Sequence, residues 1–251
     1  MRSPQATYLA MTACKSLSPI VGGATPGRLT NIQRGYVSSR GDGLTRVDLS
    51  YEAIRLTRLT ASKLPSAETS GLLALMLFHD ARAAARRADD GALVPMGEQD
   101  RAQWDHAVIA EANDILSAAA SAGHPGPYQL QAAIASVHAN AARSEDTNWH
   151  QIARMYDGLV ELAPTSIFRL NRAVAYGMAY GPPAGLERIN ALEGLDDYHL
   201  LHAARADMLR RLGKLTEAKA AYGAALELTD NDSERRYLER RIGECHSQST
   251  A

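Results

Sequence analysis

From Thr45 onward the apolar positions Val47, Ile54, Leu56 and Leu59 follow one face of a helix, and the pattern stops before Pro65. A denser apolar segment predicts a second helix from Glu68 to Arg87, after which Asp89-Asp90-Gly91 turns the chain. The same spacing predicts a third helix from Gln99 to Ala122, closed by Gly123 and Pro125, and a fourth from Tyr128 to Arg143. No segment shows the apolar/polar alternation of a half-buried strand. These periods imply an all-α fold, a helical array.

Further along, the pattern acquires a repeat. Ala206, Leu209, Gly213, Ala218, Tyr222 and Ala225 stand at spacings of 3, 4, 5, 4 and 3, the small/large alternation of a tetratricopeptide helix pair. Small residues let two helices approach, and the aromatic fills the gap between neighbouring pairs. Ile152, Tyr156, Leu159 and Pro164 reproduce the second half of that pattern, with the proline at a helix end. Leu170 to Ala179 and Pro183 to Leu192 supply a degenerate middle unit, so three units fit between about 133 and 232. Ser233 to Glu244 then reads as a capping helix with its charged face outward. A generic array of helical hairpins without repeat ancestry satisfies the same spacing. The chain therefore divides into a loose leader, 1–43, broken by Pro4, Pro19, Pro26 and several glycines, an N-terminal helical part, 44–143, and repeats with a capping helix, 144–246.

Composition narrows the possibilities. The chain of 251 residues is 45% hydrophobic and 22% charged, which places it among globular rather than disordered chains. Lys+Arg 27 against Asp+Glu 28 leaves a net charge of −1, so no global field draws the chain to nucleic acid or anionic lipid. Cys14 and Cys245 lie near opposite ends and offer neither a disulfide framework nor a four-ligand metal site, which fits a reducing cytoplasm. The run from Leu72 to Phe78 falls far short of the roughly 20 apolar residues of a spanning helix. Tyr8 to Cys14 makes a poor secretory core, since Lys15 closes it and only Arg2 leads it.

Three polar clusters interrupt this plain helical text: Gly71 to Arg82, Gln99-Asp100-Arg101 with Trp104-Asp105, and Gly126 to Gln131. A buried polar group left unpaired costs about 1–3 kcal/mol, so side chains of this kind beside an apolar run are either paired or used in contacts. His79-Asp80 has the look of a helical metal pair, but no histidine precedes His79 to complete a two-metal cage. With Arg82, it reads as a structural or partner-contacting group. His199 and His202 share a helical face and lack a third ligand at suitable spacing. No metal and no cofactor is expected. Asp100 and Trp104 share one helix face, with Trp104 anchoring the core, Arg101 pairing with an acid or capping a neighbouring helix end, and Gln99 and Asp105 beside them; the alternative is a docking point for a partner or a ligand. Gly126-Pro127-Tyr128-Gln129 makes a tight helix start, with Tyr128 and Gln131 at a groove wall. Nucleophile elbow, phosphate loop and dinucleotide fingerprint are all absent from the sequence, and no enzymatic activity is expected.

Taken together, Arg46-Val47-Asp48-Leu49, Glu52-Ala53-Ile54-Arg55-Leu56, Gly71 to Arg82, Gln99-Asp100-Arg101 with Trp104-Asp105, and Gly126 to Ala135 resemble a known module. It is the long C-terminal extension of a subgroup of bacterial extracytoplasmic-function (ECF) sigma factors. The resemblance covers roughly residues 35–244, beginning with Gly35-Tyr36. It implies a helical, tetratricopeptide-like fold, a regulatory role in transcription initiation, and sigma regions or RNA polymerase as partners. In that family two sigma regions precede the extension, one gripping the polymerase and the −10 element, the other reading the −35 element through a helix-turn-helix. The first 34 residues are too few for either and contain no recognition helix, so direct DNA binding by this chain alone is not expected. The competing expectations are a stand-alone tetratricopeptide-like adaptor, and a small-molecule sensor or enzyme with a pocket between the two helical parts.

Overall fold

A computed structural model describes residues 44–249 apart from 122 and 124. The leader assigned to 1–43 lies outside the described residues. Among the described residues ten α-helices follow one another: α1 Leu44–Lys63, α2 Ala67–Asp80, α3 His106–Ala120, α4 Pro127–Ala139, α5 Trp149–Leu162, α6 Ser166–Tyr180, α7 Pro182–Asn190, α8 His199–Arg211, α9 Leu215–Glu227 and α10 Asp232–Ser249. Among the described residues the only extended pairing is an isolated antiparallel bridge between Arg87 and Leu93. The fold is all-α.

Local chemistry sets most helix starts. Ser66 Oγ accepts from Thr69 N (3.0 Å) while Ser66 N donates to Thr69 Oγ1 (3.1 Å), a reciprocal cap that opens α2 just after Pro65. Asn148 and Thr165 do the same work one-sidedly for α5 and α6. Gly213, at φ 75°, turns the chain from α8 into α9 in a backbone region that other residues rarely enter.

Three predicted boundaries need correction. The second helix stops at Asp80 rather than Arg87, because side chains take its last carbonyls: Arg86 Nη2 donates to His79 O (2.7 Å) and Arg82 Nε to Phe78 O (3.4 Å). A 3₁₀ turn, Ala84–Arg86, follows. The third helix starts at His106, not Gln99. Asp100 and Asp105 each turn a carboxylate onto backbone N–H groups ahead of them, so Arg101–Gln103 forms a 3₁₀ turn and Trp104 is extended. Asp100 and Trp104 therefore do not share a helix face. The fourth helix ends at Ala139, where Asn140 Nδ2 donates to Ser136 O (2.9 Å).

Three apolar cores run along the array. The first gathers α1 to α4 around Leu73–Phe78, Trp104, Ile109, Ala112 and Ala132. A middle core of Ile134, Ile152, Tyr156, Leu159 and Phe168 joins α4, α5 and α6. The third holds α6 to α10 around Leu170, Ile189, Leu200, Met208, Tyr222 and Tyr237. Helices α6 and α7 touch through Gly177 and Gly185, where a Cβ on Gly185 would lie 2.7 Å from the Gly177 Cα.

One contact changes the picture of a linear array. Leu93, in the long connection between α2 and α3, belongs to the third core. Its N–H donates to Ser233 O (3.3 Å), Ser233 Oγ donates to Gly91 O (2.8 Å), and Glu98 pairs with Arg240 (3.0 Å) and Arg241 of α10. The two ends of the array are thereby tied together. The outward charged face expected for the capping helix is accordingly corrected in part. Asp232, Arg236 and Glu239 are exposed, but Glu234 and Arg241 are buried, the first accepting from Thr229 Oγ1 (2.8 Å) and the second donating to the Tyr237 hydroxyl (2.9 Å) and Glu244 (2.7 Å).

Candidate functional site

The three polar clusters converge where α2, α3 and α4 meet. Gly71 lets α2 cross directly over the first turn of α4: a Cβ there would stand 2.7 Å from Gln129 N. Three residues earlier, Glu68 reaches the same helix end, accepting from Tyr128 N (3.0 Å) and Gln129 N (3.2 Å). A carboxylate on two N-terminal amides satisfies groups that α4 cannot satisfy itself and complements the positive end of its dipole. Gln129 completes the joint by accepting from Gly126 N (3.0 Å) and donating to Ala119 O of α3 (3.0 Å). Tyr128 and Gln131 are buried, and Gln131 lines a small cavity beside His79 and His138. Burial raises the Tyr128 phenol pKa, and Gln131 Nε2 donates to Pro127 O (3.2 Å).

At the other end of α2 stands a group of cations and imidazoles. Arg82 Nη2 lies 3.0 Å from His79 Nδ1, a geometry in which the guanidinium donates and that ring nitrogen is unprotonated. Burial first, then Arg82, Arg86 and His138, holds His79 well below the ordinary histidine pKa. His138 is lowered to about 3 by burial, Arg82 and Arg101. Both imidazoles are neutral at pH 7. Arg101 lies 4.3 Å over the Trp104 ring and donates to His138 O (2.7 Å) and Ala141 O (2.9 Å), closing the C-terminal end of α4. Desolvation lowers the Arg101 pKa, and burial raises that of Asp80. Trp104 itself is 3% exposed, and its Nε1 makes no hydrogen bond among the described residues.

Arg101 and Trp104 also form one wall of a cleft of about 290 Å³ that continues along His106, Asn113 and Asn140. Asn113 Nδ2 donates to Asn140 Oδ1 (2.9 Å), and Asn140 Nδ2 and the Ser136 hydroxyl each donate to Asn113 Oδ1 (both 3.0 Å). These amides and the hydroxyl satisfy one another and leave a polar wall beside the indole. Asp100 caps the turn that carries Arg101, Asp105 caps α3, and Gln99 is buried, donating to Val94 O (3.0 Å).

Of the residues singled out in the sequence, His79, Arg82, Arg101 and Trp104 meet in this group, Gln131 lines a small cavity with His79, Arg82 and His138, and Tyr128 and Gln129 stand at the far end of α2. Glu68, Arg86, His138 and the Asn113–Asn140 pair escaped sequence reasoning. His138 sits at a helical period indistinguishable from a surface position, and nothing in linear spacing couples Glu68 to Tyr128. The two histidines of α8 diverge: His199 pairs with Glu234 (3.0 Å), while His202 Nε2 lies 2.6 Å from Asp196 O. Among the described residues no group of three or more His, Cys, Asp or Glu side chains is placed to hold a metal ion.

Residues 32–120 match a family of unknown function, DUF6596. Within the described residues that span takes in α1, α2, the docked connection and α3, and stops before α4. A protein of Rhizobium meliloti (strain 1021), named Uncharacterized protein R00370, is 40% identical over 210 residues, 83% of this chain and 50% of the relative. The chain spans about half the length of this curated relative. No solved structure matches it.

Proposed function

We propose that the chain is the regulatory, partner-binding module of an ECF-type sigma factor, acting in transcription initiation on sigma regions in cis or supplied in trans. What supports the reading is the way the resembling blocks assemble: Gly71 to Arg82, Gln99 to Asp105 and Gly126 to Ala135 are far apart in sequence yet build one interlocked joint with a polar cleft at its edge. The tetratricopeptide-like part of the reading draws support from small residues at the helix-pair seams, with Ala206, Ala218 and Ala225 fully buried and Tyr222 between them. Regulation by such a module is differential binding: it must hold the active and inactive arrangements of its partner unequally. No helix among the described residues is long and apolar enough to cross a membrane.

The test is co-purification of the chain with sigma regions of this family, together with transcription from their target promoters. Asp100→Ala and Arg101→Ala serve as variants, each compared with the wild type by thermal melting. Removing one partner of a desolvated charge pair costs about 2–5 kcal/mol in binding, so Arg101→Ala should weaken the complex measurably. A wild-type chain that neither binds sigma regions nor changes transcription at micromolar concentration would replace this reading with a stand-alone adaptor.

A further inference from the structure

A second cleft, remote in sequence from the joint just described, opens between α5, α6 and α7, with a volume of about 510 Å³. Three guanidiniums line it: Arg169 and Arg172 from α6, and Arg188 from α7. They are not equally occupied. The Arg188 guanidinium is held 4.0 Å over the Tyr176 ring and donates to Ala184 O (3.0 Å), so its fork is already placed. Arg172 Nη1 stands 3.9 Å from Asp157 Oδ1, and the Asp157 carboxylate already accepts the Tyr176 hydroxyl (2.9 Å). Arg169 is exposed, and its guanidinium makes no hydrogen bond or ion pair among the described residues. Ser166, the first residue of the 15-residue α6, adds the positive end of a helix dipole to the same wall. Glu193 at the cleft is exposed and offsets one of the three charges.

In a chain of net charge −1, this concentration of cations is local and selects for anions. The dimensions select further. Ligand sites commonly measure about 300–1,000 Å³, whereas a single water claims about 30 Å³, so a bare carboxylate or phosphate would leave most of the cleft unfilled. Val160 and Leu192 supply apolar wall beside the arginines. We propose that this cleft docks an acidic segment of a partner protein, with carboxylates on Arg169, Arg172 and Arg188 and an intervening apolar side chain against Val160 and Leu192. The proposal stands on the chemistry of the cleft and does not depend on the sigma-factor reading.

The experiment is fluorescence anisotropy with the full chain and a fluorescein-labelled Glu-Leu-Glu-Asp-Leu-Glu peptide, beside its Gln/Asn counterpart and inorganic phosphate as competitor. The acidic peptide should bind, and raising salt from about 50 to about 300 mM should weaken it severalfold. The amide counterpart should bind about tenfold or more weakly, as should the acidic peptide to Arg169→Glu. Because Arg169 is exposed, Arg169→Glu should melt as the wild type does; Arg143→Glu, at an exposed arginine outside the cleft, should leave peptide binding unchanged. Equal binding of both peptides, indifference to Arg169→Glu, or no binding at about 1 mM peptide would overturn the proposal. So would phosphate that binds as tightly as the peptide, since the site would then recognise any small anion. If the acidic peptide binds while sigma regions do not, this proposal stands and the sigma-factor reading falls.

Discussion

The joint of α2, α3 and α4 and the third core around α8 to α10 both bury arginines, but they satisfy them differently. In the joint, Arg101 donates to backbone carbonyls and stacks on an indole, and Arg82 donates to a neutral imidazole. In the third core, Arg210 meets Asp207 (2.6 Å) and the Tyr222 hydroxyl (3.4 Å), and Arg241 meets Glu98, Glu244 and the Tyr237 hydroxyl. Both solutions avoid an uncompensated buried charge, which costs several kcal/mol. They differ in what disturbs them. Neutral imidazoles fail in mild acid, whereas a carboxylate pair fails when one of its members is removed.

The joint is the place where a single truncation should cost most. Trp104 is fully packed and carries the Arg101 guanidinium, so Trp104→Ala should lower stability by about 3–5 kcal/mol, read from urea unfolding. An unchanged unfolding midpoint with lost partner binding would move the indole from the core to the docking surface.

Acid should separate the two regions next. Below the ordinary histidine value of 6.5 the unfolded chain takes up protons that buried His138 refuses until about 3, and His79, also lowered, behaves in the same sense. The stabilisation is therefore complete above pH 6.5 and declines as pH falls, by about 1.4 kcal/mol per pH unit for each histidine. Hydrogen exchange at about pH 5 should quicken in α2 and α4 before α8 and α9. Simultaneous loss would show that the two regions unfold as one unit.

The smallest effect concerns the tie between the ends. Glu98→Ala removes the acid shared by Arg240 and Arg241, while Glu244 still compensates Arg241, so the cost should be about 1–2 kcal/mol. Faster exchange should be confined to residues 91–98 and the start of α10. Unaltered exchange at Leu93 would mean that its apolar burial alone holds the connection.

Helix content, most helix starts and the small-residue seams were legible in the linear text, because periodicity and caps are local properties within one or two turns. The first helix ends before Pro65 as expected, and Ala218, Tyr222 and Ala225 are buried as their spacing implies. The errors fell where two local signals compete. Asp100 and Asp105 occur in a helical period, yet each is also a good cap, and capping prevailed because a carboxylate satisfies amides that the helix start leaves bare. The cleft at Arg101 and the arginine cleft of α5 to α7 were beyond reach altogether, since each is assembled from helices whose relative placement no spacing encodes. The sequence by itself determined an all-α chain with polar clusters that had to be paired. Only the tertiary structure decided the pairs: Glu68 with the first amides of α4, and Glu98 with Arg241 across the length of the array. Such contacts depend on loop closure and core packing over distances at which local sequence carries no signal.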